Sequence, residues 1–161
     1  MVASVFIRYF ARTDESDLGR EAAAYCDALV DTGTPVRLVS ARVAELQLDS
    51  RGRSHSVWAR HRDLLTTPMT GGYVNVVCGE LADWARFHTP SVMNALLITD
   101  QNLEPRNPQL DLIDAVARYD AIYVPSKGLA AVVERVTGLR PIVVAIGTPE
   151  ARDAFLSLKV L

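Results

Sequence analysis

The chain has 161 residues, the span of one ordinary domain, which excludes a standard two-domain enzyme. Apolar residues make up 49% and charged residues 22%, a globular balance that excludes a disordered chain. The net charge is −2 and evenly spread, with nine basic and ten acidic groups in residues 1–80 and eight and nine in the rest, so nucleic acid is not an expected partner.

Ser4–Phe10 (SVFIRYF) is β-branched and aromatic and predicts a strand. Asp14 or Ser16 can cap the helix that follows, in which Leu18, Ala22, Tyr25, Cys26 and Leu29 recur at steps of three and four. Gly33 stands where a helix C-cap is expected, and Pro35–Ser40 (PVRLVS) predicts a second strand. The crossover between two such strands is right-handed. Residues 41–56 are polar and poorly periodic, with a turn at Arg51, Gly52 and Arg53, and Val57–Leu65 predicts a short helix ending near Pro68. Tyr73–Cys78 (YVNVVC) predicts the third strand, Leu81–Phe87 a short helix and Asn94–Thr99 (NALLIT) the fourth strand. Asp100–Pro108 reads as a loop; Leu110, Ile113, Val116 and Ala117 then form a helical stripe. Ala121–Val124 predicts a fifth strand, and a helix from Ser126 to Gly138 carries Leu129, Val132, Val133 and Val136 on one face. Pro141–Ile146 predicts the sixth strand, Gly147 turns it, and Thr148 can cap a last helix, Pro149–Leu158.

Strands alternate with helices, and several strands are uninterrupted apolar runs, as when both sheet faces are covered. The expected fold class is α/β: a single Rossmann-like doubly wound domain over residues 1–161. It should have about six mostly parallel strands and helices on both faces, a three-layer α/β/α arrangement. Cys26 and Cys78 make neither a C-x-x-C pair nor a zinc spacing and read first as two buried free thiols and second as a lone disulfide. No apolar run reaches the length of a membrane span, and the N-terminus lacks the pattern of a signal peptide, so a cytoplasmic location is expected.

Ligands of open α/β sheets bind at the carboxyl ends of the strands. That rim collects Arg12, Thr13, Asp14, Cys78, Gly79, Glu80, Thr99, Asp100, Gln101, Ser126, Lys127 and Gly147. They read either as a polar cleft for a sugar or other small ligand or as capping and turn residues. Glu80 and Asp100 both follow apolar strands and are candidates for a carboxylate pair in general-base work, or else for solvated caps. Ser126 reads first as an N-cap, and its hydroxyl and neighbouring amides also suit an anion. Trp84, Phe87 and His88 read as a sugar-stacking patch or as core. Arg51, Arg53, Arg60 and Arg62 with His55 and His61 form a basic cluster, a solvated face or a phosphate contact. The histidines make no metal set, and there is no G-x-G-x-x-G, Walker loop or G-x-S-x-G. No metal and no cofactor is expected.

The stretch RYDAIYVPSKGLAAVVERVTGLRPIVVAIG, Arg118–Gly147, resembles the closing part of the N-terminal domain of GT-B glycosyltransferases of the retaining, family-4-like group. Asp120, Pro125-Ser126, Gly138, Pro141 and Gly147 fit its pattern, and the opening helix AAAYCDALVDTG followed by PVRLVS is similar to the family's opening. The resemblance implies an acceptor-side domain. In that family a second Rossmann-like domain holds the nucleotide-sugar, and nothing of it is present here. The loop after the first strand, often glycine-rich there, reads ARTDES, with no glycine and two carboxylates. The chain's end, FLSLKVL, falls near the start of the family's interdomain link.

Three readings follow. The first is a glycosyltransferase-like domain, incomplete as a transferase by itself, that binds a sugar or nucleotide ligand or acts with a partner chain; a nucleotide-sugar would enter with a partner domain. The second is a catalytically silent binding or assembly protein. The third is an unrelated small Rossmann-like enzyme acting on a nucleotide or sugar. Ala151, Ala154, Phe155 and Leu158 form an apolar stripe that suits either the chain's own sheet or a second copy, and a homodimer through this helix is expected.

Overall fold

Alternation along each strand sorts the apolar side chains of this molecule into two cores. The computed structural model describes residues 6–40, 57–99 and 109–144. Six strands form one sheet: β1 (Phe6–Ala11), β2 (Val36–Ser40), β3 (Tyr73–Cys78), β4 (Met93–Leu97), β5 (Ala121–Val124) and β6 (Ile142–Val143). Every pairing is parallel, and the order is β2-β1-β3-β4-β5-β6. The helices are α1 (Asp17–Asp31), α2 (Leu81–Phe87), α3 (Gln109–Val116) and α4 (Lys127–Thr137), with a 3-10 helix at Ala59–Leu65. This is the doubly wound Rossmann-like fold, three layers deep.

One core lies under α1 and the 3-10 helix. It takes Ile7, Tyr9 and Ala11 from β1, Val74, Val76 and Cys78 from β3, and Ala95 and Leu97 from β4. The other lies under α2–α4 and takes the alternate residues, Phe10, Val77, Leu96, Ile122 and Val124. The predicted stripe of α1 is buried throughout: Leu18, Ala22, Tyr25, Cys26 and Leu29. The tyrosine hydroxyls that enter the cores find acceptors: Tyr9 donates to the Ala22 carbonyl at 2.8 Å and Tyr25 to that of Val144 at 2.9 Å. Tyr119 donates to the Trp84 carbonyl at 2.7 Å. These bonds tie α1 to β1 and to the end of β6, and α2 to the turn after α3.

Local differences from the sequence reading have physical causes. Ser16, not Asp14, caps α1: its Oγ accepts from the Gly19 amide at 3.1 Å, while Asp14 Oδ1 accepts from the Ser16 amide at 3.2 Å. The segment read as a helix from Val57 is 3-10 because its inward residues Trp58, His61 and Leu64 recur every third position, the 3-10 repeat. β4 begins at Met93 and ends at Leu97. In α4 Leu129 and Val133 are buried while Val132 is turned outward, and at the end of α3 Ala115 packs inward whereas Ala117, just beyond it, is exposed. Gly138, with φ of 72°, closes α4 in the left-handed region that favours glycine. Asp100, Gln101, Gly147 and the helix Pro149–Leu158 lie outside the described residues. Among the described residues no helix is long and apolar enough to cross a membrane.

Cys26 and Cys78 are free thiols, both fully buried. Burial pushes Cys26 from 9.0 to about 12, with Asp27 adding to the rise, and pushes Cys78 from 9.0 to about 12 against a hydrogen bond with Tyr9 that lowers it. Both groups are therefore raised in the fold, so their contribution to stability is complete below pH 9 and fades as pH climbs toward 12. Urea unfolding series at pH 8, 10 and 11 are expected to give falling midpoints, and the native protein should resist thiol alkylation at pH 8 until it is unfolded.

Candidate functional site

Because all strands run parallel, their carboxyl ends meet along one rim, and the chain winds outward in opposite directions from β1 and β3. The crevice between these two strands is where such sheets take ligands. Arg12, Thr13 and Asp14 leave β1, and Gly79 and Glu80 leave β3, its partner in register from Phe6↔Tyr73 to Ala11↔Cys78. The register therefore brings the two loop starts side by side.

The Arg12 guanidinium bridges them. Its Nη1 pairs with Glu80 Oε1, and its Nε lies 3.4 Å from Asp14 Oδ2. The Arg12 and Asp14 side chains are largely buried, at 16% and 9% exposure, whereas Glu80 is 58% exposed and faces solvent. Asp14 also receives the Ser16 hydroxyl, so one carboxylate orients both the arginine and the helix cap. Thr13 is buried, and its hydroxyl hydrogen-bonds to that of Ser40, joining the ends of β1 and β2. The Glu80 amide donates to Asp83 Oδ2 at 3.0 Å, which anchors the start of α2.

Two glycines permit this packing. A Cβ on Gly19 would overlap the carbonyl oxygen and carboxylate of Asp14, and one on Gly79 would lie 2.7 Å from Asp83 Oδ2 and 2.9 Å from Phe10. Gly19 was not among the residues singled out from the sequence, although a glycine three residues after a cap, inside a helix, is the available signal of close approach. Ser126 caps α4, its Oγ accepting from the Leu129 amide at 3.1 Å, and Lys127 is exposed beside it. These two stand at the end of β5, two strands or about 10 Å from β3.

Other candidates take structural places. Cys78 faces the α1-side core and not the rim. Thr99 is buried. The proposed stacking patch is core: Trp84 is fully buried and donates to the Gly79 carbonyl at 2.8 Å, and Phe87 stacks on Phe10 at 3.5 Å between centroids. His88 Nε2 lies 3.0 Å from the Arg118 carbonyl oxygen. From the basic cluster, Arg60 and His61 both bind Asp27 of α1, His61 at 2.5 Å; Arg51, Arg53 and His55 lie outside the described residues. Glu80 meets Arg12, while its proposed partner Asp100 lies outside the described residues. Among the described residues no group of three or more His, Cys, Asp or Glu side chains could hold a metal ion.

Removing Arg12 takes one charge-assisted contact from the buried Asp14 carboxylate, so Arg12→Ala should cost about 1–3 kcal/mol in urea unfolding. Arg20 pairs with Glu15 across 3.6 Å on an exposed surface, and Arg20→Ala should cost under about 1 kcal/mol. Gly19→Ala should cost about 1–3 kcal/mol through overpacking, and Gly72→Ala, where nothing lies within 4 Å, serves as its control.

Comparison with known proteins finds no family model, no curated protein and no solved structure that matches this chain.

Proposed function

We propose that this protein is a binding domain for a polyhydroxylated, sugar-type ligand at the β1/β3 crevice, and that it does not transfer glycosyl groups by itself. The observation that carries this reading is the Arg12 guanidinium held between Asp14 and Glu80 at the reversal of the sheet. A guanidinium beside carboxylates offers donors and acceptors together, which is what sugar hydroxyls require. The same set is ill suited to a diphosphate. Two carboxylates flank one cation, and the Gly19 amide at the start of α1 is already taken by Ser16. A nucleotide-sugar belongs to this reading only with a partner chain that supplies the phosphate contacts.

The ligand would meet Arg12, Asp14, Gly79 and Glu80, with Thr13 fixing the end of β1 behind them. Ser126 and Lys127 form the far wall; the sequence candidates Asp100, Gln101 and Gly147 lie outside the described residues. Glycosyl transfer needs donor carbon and acceptor oxygen held within about 3–3.5 Å, and in this reading a partner fixes the donor. The GT-B-like reading of the acceptor side is thus retained as architecture with a binding role.

The experiment is amide NMR with maltose as the probe, beside an assay for UDP release from UDP-glucose. Expected are shifts confined to the residues following β1 and β3, their loss in Arg12→Ala, and no UDP release. Shifts elsewhere or none at all would overturn the binding reading, and turnover by pure protein would overturn the inactive one.

A second reading, assembly with a second copy, is favoured by the sheet edge. Ile142 and Val143 of β6 are 46% and 37% exposed, and Val132 and Leu139 are exposed as well. Apolar groups on an edge strand invite pairing. Light scattering should give a dimer for the wild type and a monomer for Ile142→Glu; a monomeric wild type ends this reading.

A further inference from the structure

α1 begins beside the carboxyl-end crevice and runs back toward the other end of the sheet. Asp27 stands ten residues beyond Asp17, about 15 Å along the helix axis. There the 3-10 helix meets α1, and the two leave an open cleft of about 280 Å³ lined by Asp27, Val30, Asp31, Arg60 and His61. One wall is held from the core. His61 is 4% exposed, its ring stands edge-on to the fully buried Trp58 at 5.9 Å between centroids, and its Nε2 lies 2.5 Å from Asp27 Oδ1. The other oxygen of Asp27 accepts from Arg60 Nη2. Arg60, 63% exposed in its side chain, is thereby fixed at the cleft by one nitrogen, and its other guanidinium nitrogens have no partner among the described residues.

Asp31 supplies an independent observation. It is exposed, lines the same cleft and meets no cation among the described residues. It follows Asp27 by one turn on one helix face, where like charges repel. It also ends α1, where the helix dipole disfavours a carboxylate, and no basic residue in the last turn offsets it. Val30, 38% exposed, gives the cleft an apolar surface beside this charge. The cleft thus presents a fixed guanidinium, an uncompensated carboxylate and an aliphatic patch together.

We infer that this cleft binds a free α-amino acid with a small apolar side chain, at a site separate from the carboxyl-end crevice. The ligand's ammonium pairs with Asp31 and offsets the negative end of α1. Its carboxylate meets the open part of the Arg60 guanidinium. Its side chain covers Val30. Residues four apart on a helix have Cβ atoms about 5–6 Å apart, so Arg60, held at Asp27, and Asp31 are within reach of the two charged groups of one small zwitterion. The volume falls just below the roughly 300–1,000 Å³ of pockets for larger ligands. An anion without an ammonium is repelled by Asp27 and Asp31, and a neutral sugar leaves Asp31 uncompensated.

Calorimetric titration of the full chain with L-valine tests this, beside isobutylamine and isovalerate, which each keep the apolar arm and one of the two charged groups. Expected is saturable binding of L-valine, at least tenfold tighter than either half-molecule. Its affinity should fall at least tenfold in Asp31→Asn and in Arg60→Gln and stay unchanged in Arg20→Gln. If Arg60→Gln does not fold, Arg60→Lys, which keeps the charge and loses the planar fork, should weaken binding instead. Amide NMR shifts on titration should fall on residues 27–31 and 57–61. No saturable L-valine binding, shifts elsewhere, or Arg20→Gln weakening binding as much as Asp31→Asn would overturn the site. Isobutylamine binding as tightly as L-valine would overturn the role given to Arg60, and isovalerate doing so would overturn that of Asp31.

Discussion

β1 is hydrogen-bonded to β2 along one edge and to β3 along the other, and the rest of the molecule is arranged around that placement. It makes the sheet reverse direction at β1/β3 and so opens the crevice at their carboxyl ends. It sets Arg12 beside Glu80, although 67 residues of chain separate them. It also sets Arg8 between Arg37 and Asn75 on one face. A slip of one residue in the β1–β3 register would turn Phe10 and Tyr9 into each other's cores and separate both constellations.

The two cores show how the polar cost of such a sheet is met. Tyr9, Tyr25, Tyr119 and Trp84 bury large aromatic bodies, and their hydroxyls or ring nitrogen reach backbone carbonyls. Burial raises the hydroxyls of Tyr9, Tyr25 and Tyr119 well above the ordinary tyrosine range. They therefore act as neutral donors. The same aromatic residues that suggest sugar stacking in one dimension are consumed in three dimensions by packing: Phe87 lies flat on Phe10, and no face of Trp84 is open to a ligand.

The residues that carry the resemblance to GT-B enzymes also have local structural work. Asp120 accepts from the Asn94 amide at 2.7 Å and so ties the start of β5 to β4. Ser126 caps α4, and Gly138 ends it in the left-handed region. Any parallel sheet that places a helix between β5 and β6 has uses for such residues. The pattern thus speaks for the architecture, and the functional argument rests on Arg12, Asp14 and Glu80.

Local order alone made the fold class legible. Uninterrupted apolar runs, the α1 stripe from Leu18 to Leu29, a cap at Asp14 or Ser16 and the glycine after α4 are all properties of neighbouring residues, and neighbouring residues decide helices and strands. The rim was legible in outline for the same reason, since loop starts follow strand ends. What only the tertiary structure decided is which of those residues meet. The Arg12–Glu80 bridge, the hold of Asp27 on Arg60 and His61, and the row Arg37–Arg8–Asn75–Asn94 all depend on strand order and register. Those are set by long-range pairing and by how each helix covers the sheet, terms that no window of adjacent residues contains.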